Sequence, residues 1–339
     1  MKIWFSTLFN IFLLLACTSV RKTSITEVPY VQQRFLIITA DDYGASKNIN
    51  DGIKIAADNN AITAISALSN FTESLSELKK ISENHPDIGI GVHLNITTGK
   101  PILGDEQVPS LVNPNGNFYT ISELLPKIKS ISLDDLRKEL RAQILALTKY
   151  NIKVDHLSDH YGLSLYSPFF EIVMELSKEF DVPIRTPLTA SVKYPEIFPN
   201  SKMYKRGRQI AFRLALTAPF KAISLLKYSR IQEMEKKIQK LDELGILHPN
   251  VSIGYFWGDP TAANLLYILE HLPNGISEII LHSGTYSRQE YYPSGLDLDY
   301  FNNRENELIT ITSNYLKEYY NYLNIKIIGY SEISNYRKK

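Results

Sequence analysis

The chain has 339 residues, 44% of them hydrophobic and 22% charged, a balance that supports a large buried core and excludes a disordered or fibrous polypeptide. Its 37 Lys and Arg nearly cancel its 36 Asp and Glu, so the charge gives no reason to expect nucleic acid or an anionic surface as a partner. A neutral or small polar substrate fits better, and the 21 tyrosines offer rings on which sugars can stack.

The first segment reads as an export signal. Met1 and Lys2 precede a mostly apolar run from Ile3 to Ala16, too short for a comfortable membrane span. It ends in Leu14-Leu15-Ala16-Cys17, which resembles the bacterial lipoprotein signal in which Cys17 is lipidated. As the only cysteine, Cys17 has no intramolecular disulfide partner, so anchoring explains it better than redox chemistry. The expectation is a signal peptide over 1–17, a polar tether over 18–33, and a protein of the bacterial cell envelope, periplasmic or outer-surface, held to the membrane by its lipid anchor.

From Arg34 onward, short apolar runs alternate with helical patterns, the signature of β/α units around a parallel sheet in one domain over 34–339. Phe35–Ile38 is a strand ending near Asp41-Asp42, followed by a helix over Asn48–Asn60. Ile62–Leu68 and Ile88–Leu94 are the next strands, Leu133–Tyr150 an amphipathic helix, and Val154–His160 a fourth strand. Val182–Arg185, Val251–Phe256, Glu278–His282 and Ile325–Tyr330 complete the set. About eight strands alternating with helices suggest a (β/α) barrel, irregular or incompletely closed. A helical insertion over about 191–247, carrying the basic stretch Lys202–Arg208, would cap it, its charges solvated.

In such a fold the active site gathers at the C-terminal ends of the strands. Asp41-Asp42, His93, His156 with His160, and His282 all sit there, ending runs that otherwise read as core. Burying such groups costs several kcal/mol unless they are paired or bind metal. On a strand, Asp41 and Asp42 point to opposite sides, so one carboxylate could bind a cation while the other accepts a proton from water. A plainer reading has Asp42 capping the turn at Tyr43-Gly44 and Asp41 solvated. Zinc and similar divalent ions take imidazole and carboxylate and keep one position open for water, which an Asp-His-His set would satisfy. His156 and His160 are about 13 Å apart if extended, so only one can ligate; His160, nearer the strand end, is the candidate, and His156 is supporting or structural. His85, His248 and His271 lie beside prolines or in a helical pattern and read as surface or helix-end residues.

These residues resemble the YdjC-like carbohydrate deacetylases, a family that includes chitooligosaccharide and hopanoid-sugar deacetylases. Thr39-Ala40-Asp41-Asp42-Tyr43-Gly44 is similar to the family's Asn-Ala-Asp-Asp-Phe-Gly opening, and Gly91-Val92-His93-Leu94-Asn95, with Thr97, Gly99 and Pro101, to its second motif. Glu278–Gly284 resembles Glu-Leu-x-x-His-Pro-Gly, with Ser283 in place of proline, and Arg304–Leu308 resembles Arg-x-x-Glu-Leu. Where the family has Asp-Ser-His-x-His, this chain has Ser158-Asp159-His160-Tyr161-Gly162. The resemblance spans about Phe35 to Glu332. It implies a divalent ion, zinc or magnesium, on Asp42, His93 and His160, with Asp41 as base, His282 as general acid and Arg185 at the substrate. The reaction would release acetyl groups from an N-acetylated glycan. Two other readings are a glycoside hydrolase, which needs two flanking carboxylates and usually no metal, and a surface lipoprotein that binds glycan without turning it over.

Overall fold

The computed structural model describes residues 33–194, 197, 231–254, 260–285 and 298–336. Cys17, the signal peptide, nearly all of the tether and the basic stretch Lys202–Arg208 lie outside the described residues. Among the described residues no helix is long and apolar enough to cross a membrane.

Seven parallel strands form one sheet: β1 (Arg34–Tyr43), β2 (Ala64–Ala67), β3 (Gly89–Leu94), β4 (Val154–Asp159), β5 (Val251–Gly254), β6 (Gly275–Leu281) and β7 (Ile325–Ile327). Their order is β4-β3-β2-β1-β6-β5, with β7 pairing the first residues of β1. Among the described residues this is an α/β fold with a half-barrel of seven parallel strands, and a full ring of eight is not seen. The expected strand Val182–Arg185 makes only isolated bridges, Leu157 to Ile184 and, further on, Thr189 to Ser252. Pro183 and Pro187 remove two backbone donors from that stretch, so it crosses between the β4 and β5 edges without a regular ladder.

β1 alternates strictly. Leu36, Ile38 and Ala40 enter the main core with Ile49, Ile53 and Ala56 of helix α1 (Lys47–Asp58), while Phe35 and Ile37 join a second cluster with Ile276, Ile328, Tyr330 and Ile333. Burying both faces yields the nearly continuous apolar run read from the sequence. The Ser46 side chain caps α1 by accepting from the Ile49 amide. Helix α2 (Leu75–Asn84) leads into β3, and α3 (Ile121–Lys127) precedes α4 (Leu133–Lys149). Ser132 caps α4, Asp134 and Asp135 occupy its positive first turn, and Leu136, Leu140, Ile144 and Leu147 form its buried stripe. Of the expected insertion, a helix over Ile231–Glu243 is described, anchored by buried Met234 and Leu241.

Candidate active site

The carboxylate pair departs from strand alternation. Asp42 has φ 70, in the left-handed region, and the β1–β2 register shifts between Ala40 and Tyr43. A non-glycine residue there costs about 1–2 kcal/mol. The twist turns both carboxylates toward the same histidine: His93 Nε2 lies 3.6 Å from Asp41 Oδ2 and 3.6 Å from Asp42 Oδ1. The two side chains therefore share one site, contrary to the opposite-sided placement that regular pleating implies.

His160 follows the end of β4 and completes the cluster, its Nε2 3.8 Å from Asp42 Oδ1. Both ring orientations are fixed from behind. His93 Nδ1 lies 2.8 Å from Ser158 Oγ, which holds the ring with Nε2 turned toward the two carboxylates. At His160, Nδ1 lies 2.7 Å from Thr97 Oγ1 and 3.2 Å from Asn95 Oδ1. Thr97 Oγ1 already donates to Asn95 Oδ1, so here Nδ1 bears hydrogen and Nε2 is bare toward Asp42. Asn95 is held through its backbone by the buried Gln143 amide of α4.

Two arginines set the charges. Arg185 grips Asp41 with Nη1 to Oδ2 at 2.7 Å and Nη2 to Oδ1 at 2.9 Å, and Arg304 Nη2 donates to Asp42 Oδ2 at 2.8 Å. Burial alone would raise both carboxyls; Arg185 at Asp41 and Arg304 at Asp42 outweigh it and, with the neighbouring histidines, hold both well below the usual carboxylate range. Burial also pushes His93 down to about 4 against the pull of Asp41 and Asp42, and lowers His160 and His282. The site histidines are neutral at pH 7, the form in which imidazole ligates metal.

His282 follows β6. Its amide donates to Glu307 Oε2 at 2.5 Å and its carbonyl accepts from Arg304 Nη1 at 3.3 Å. Burial pushes the Glu307 carboxyl well above its usual value, against the pull of the His282 amide and of Arg304. The loop is pressed onto α1 at Gly52, where a Cβ would stand 2.5 Å from Gly284 Cα.

His156, on β4, does not join the site. It is fully buried beneath it, stacked on Tyr330 at 4.1 Å and 6°, with Nε2 3.0 Å from Ser66 Oγ. Its ring fills the space over Gly91, where a Cβ would meet it at 2.4 Å. Arg185, expected at the substrate, is also buried and commits its guanidinium to Asp41 and Glu278. His248, expected at the surface, is buried at 1% exposure, its Nδ1 2.8 Å from the Pro249 carbonyl. The loop that carries it packs inward beside residue 184, whose amide donates to the Leu247 carbonyl. His85 and His271 sit at helix ends as expected.

The residues present fit a divalent cation. Asp42 Oδ1 is a buried oxygen with no hydrogen-bond partner, and it faces Nε2 of both His93 and His160. Asp41, Asp42 and Glu278 against Arg185 and Arg304 leave one negative charge over in a dry setting. Among the described residues no group of three or more His, Cys, Asp or Glu side chains stands ready-arranged around a metal position, so the fit rests on the chemistry of Asp42, His93 and His160. Sequence reasoning gave no role to Glu278, Arg304, Glu307, Asn95, Thr97, Ser158 or Thr39, although all of them fall within the stretches compared with the family. Their signal was membership of those motifs; their contacts span up to 262 residues and have no local trace.

Comparison with known proteins agrees with this architecture. The family described as YdjC-like protein matches residues 35–322. A carbohydrate deacetylase of Clostridium beijerinckii is 26% identical over 298 residues, covering 88% of this chain and 99% of that protein. A carbohydrate deacetylase of Oceanobacillus iheyensis is 36% identical over 170 residues, 49% of this chain and 70% of that protein. A chitooligosaccharide deacetylase of Proteus mirabilis is 29% identical over 151 residues, 44% of this chain and 58% of that protein. An Enterococcus faecalis crystal structure, of a protein named for cellobiose-phosphate cleavage, shares the fold with TM-score 0.68 at 22% identity, covering 90% of this chain and all of that one. With a match across most of its length and the motif side chains gathered in one place, the chain belongs to the YdjC-like family.

Proposed function

We propose that this protein is a divalent-metal-dependent hydrolase that removes acetyl groups from N-acetylated sugars. The observation that carries the reading is the orphaned Asp42 Oδ1 facing His93 Nε2 and His160 Nε2. Asp42, His93 and His160 would hold the ion, zinc or magnesium. A bound cation would supply Lewis acidity toward the acetamide carbonyl and bring the pKa of water down to about 7.

The chain's own residues do the rest. Asp41, oriented by the Arg185 fork, takes a proton from the attacking water. His282, neutral at rest and with its backbone fixed by Glu307 and Arg304, takes up the proton that Asp41 removed from water and passes it to the leaving nitrogen, which returns both residues to their starting states. Thr97 and Asn95 keep His160 in the tautomer that presents Nε2, and Ser158 holds the His93 ring in orientation. Acetate and a free amino sugar result. The deacetylase names of the relatives support this substrate class.

The glycoside hydrolase reading needs one carboxylic acid kept protonated beside the scissile bond. Asp41 and Asp42 are both held ionised by arginines, so neither is that acid. The deacetylase names of the relatives favour turnover over glycan binding alone. The proposal extends to a cell-envelope location through lipidated Cys17, which mass spectrometry of the membrane fraction would test by a diacylglyceryl adduct.

The decisive assay is acetate release from N-acetylated oligosaccharides before chelation, after it, and after return of zinc or magnesium. Activity lost on chelation and restored by metal is expected; turnover indifferent to chelator would sink the metal assignment.

A further inference from the structure

We infer that Glu278, supported by Thr39, is a positioning residue for this reaction: it fixes the Arg185 fork and, through it, the orientation of the Asp41 carboxylate. The inference rests on the deacetylase reading.

Arg185 comes from the proline-interrupted crossing between β4 and β5, held only by isolated bridges and single backbone bonds such as that from its own amide to the Leu157 carbonyl. A long side chain on such a segment needs a second anchor to hold its fork still. Glu278 supplies one from the middle of the sheet. It sits in register with Ile37 on the β1–β6 ladder and is 0% exposed. Arg185 Nε donates to Glu278 Oε1 and Oε2, both at 3.1 Å, and Nη2 donates to Oε1 at 2.8 Å. Thr39 Oγ1 donates to the same Oε1 at 2.7 Å.

One edge of the guanidinium is thus pinned to the rigid sheet while the other grips Asp41. The planar fork transmits that constraint, because bidentate pairing fixes angle as well as distance. Thr39 lies two residues before Asp41 on the same face of β1, so the carboxylate and the distant anchor of its arginine are referenced to one strand. A buried ion cluster is rarely the most stable filling for a core, which favours a placement role over a stabilising one.

The test uses the full-length, metal-loaded chain and an N-acetylated oligosaccharide. Glu278→Gln, nearly isosteric, is expected to lower kcat about 10–100-fold with KM within about threefold, the range for losing an orienting contact. Thr39→Val, which keeps shape and removes one bond to Glu278, is expected to lower kcat about threefold. Because Glu278 acts through Arg185, the Arg185→Gln/Glu278→Gln double variant should be no slower than Arg185→Gln alone. Unchanged kcat in Glu278→Gln, or losses that multiply in the double variant, overturns the inference. If Glu278→Gln fails to fold by circular dichroism, Thr39→Val decides, and full kcat there overturns it. Wild-type protein that releases no acetate from any N-acetylated sugar overturns the deacetylase reading itself, and this inference with it.

Discussion

The two faces of β1 do different work. Toward the helices, Leu36, Ile38 and Ala40 share an apolar core with Ile49, Ile53 and Ala56 of α1. Toward the inside, Phe35 and Ile37 are apolar, Thr39 is a buried hydroxyl, and Asp41 is a buried carboxylate, so polarity rises residue by residue along one face. Polar side chains are also buried on the neighbouring strands: Glu278 on β6, His93 on β3, and His156 and Ser158 on β4. The outer face stabilises the fold by removing apolar area from water. The inner face gives up some of that stabilisation at its C-terminal end to hold charges in fixed places. Stability and chemistry are therefore separable by residue even within a single strand.

Substitutions on the two faces should separate cleanly. The largest effect is expected at the inner mouth: His93→Gln should lower kcat/KM by about 10³-fold or more, with loss of bound metal, while the chelated variant melts near the chelated wild type. Equal losses of stability and activity would erase the distinction. On the outer face, Ile53→Ala should cost about 2–5 kcal/mol in denaturant unfolding. Its kcat at a temperature where it remains folded should match wild type. Ser158→Ala, which frees the ring of His93 without touching the backbone, should weaken metal affinity about 10–100-fold, read by competition with a chromogenic chelator.

The smallest effect is a pH dependence. In chelated protein the buried His93 ring titrates near 4 and its unfolded counterpart near 6.5. Between those values the unfolded chain binds a proton that the native ring refuses, so lowering the pH through this window destabilises the native state. Measured against His93→Gln, chelated wild type should lose stability from about pH 6.5 down to about 4 and stay level above. A constant difference across that range would mean that His93 is not held neutral by burial.

How far these features could be read without coordinates depends on the distance over which each was decided. The strands Ile88–Leu94 and Val154–His160 and the helix Leu133–Tyr150 were legible to within a residue or two, because hydrophobic period and caps such as Ser132 are local signals. The Val182–Arg185 strand was not, although Pro183 and Pro187 were in plain view; apolar character outweighed the missing donors in the reading. His248 failed for a related reason, since a proline neighbour marks a turn but says nothing about what packs over it.

The sequence by itself determined the alternation of strand and helix, the family, and which side chains stand at strand ends: Asp41, Asp42, His93, His160 and His282. It could do so because each follows from neighbours a few positions away. Only the tertiary structure decided how those side chains are used. The left-handed turn at Asp42 that brings both carboxylates to His93, the arginines 144 and 262 residues distant that keep them ionised, and the burial of His156 under the site all arise from contacts between remote segments. Charge placement in a dry interior is set by those contacts, and no local pattern of residues encodes them.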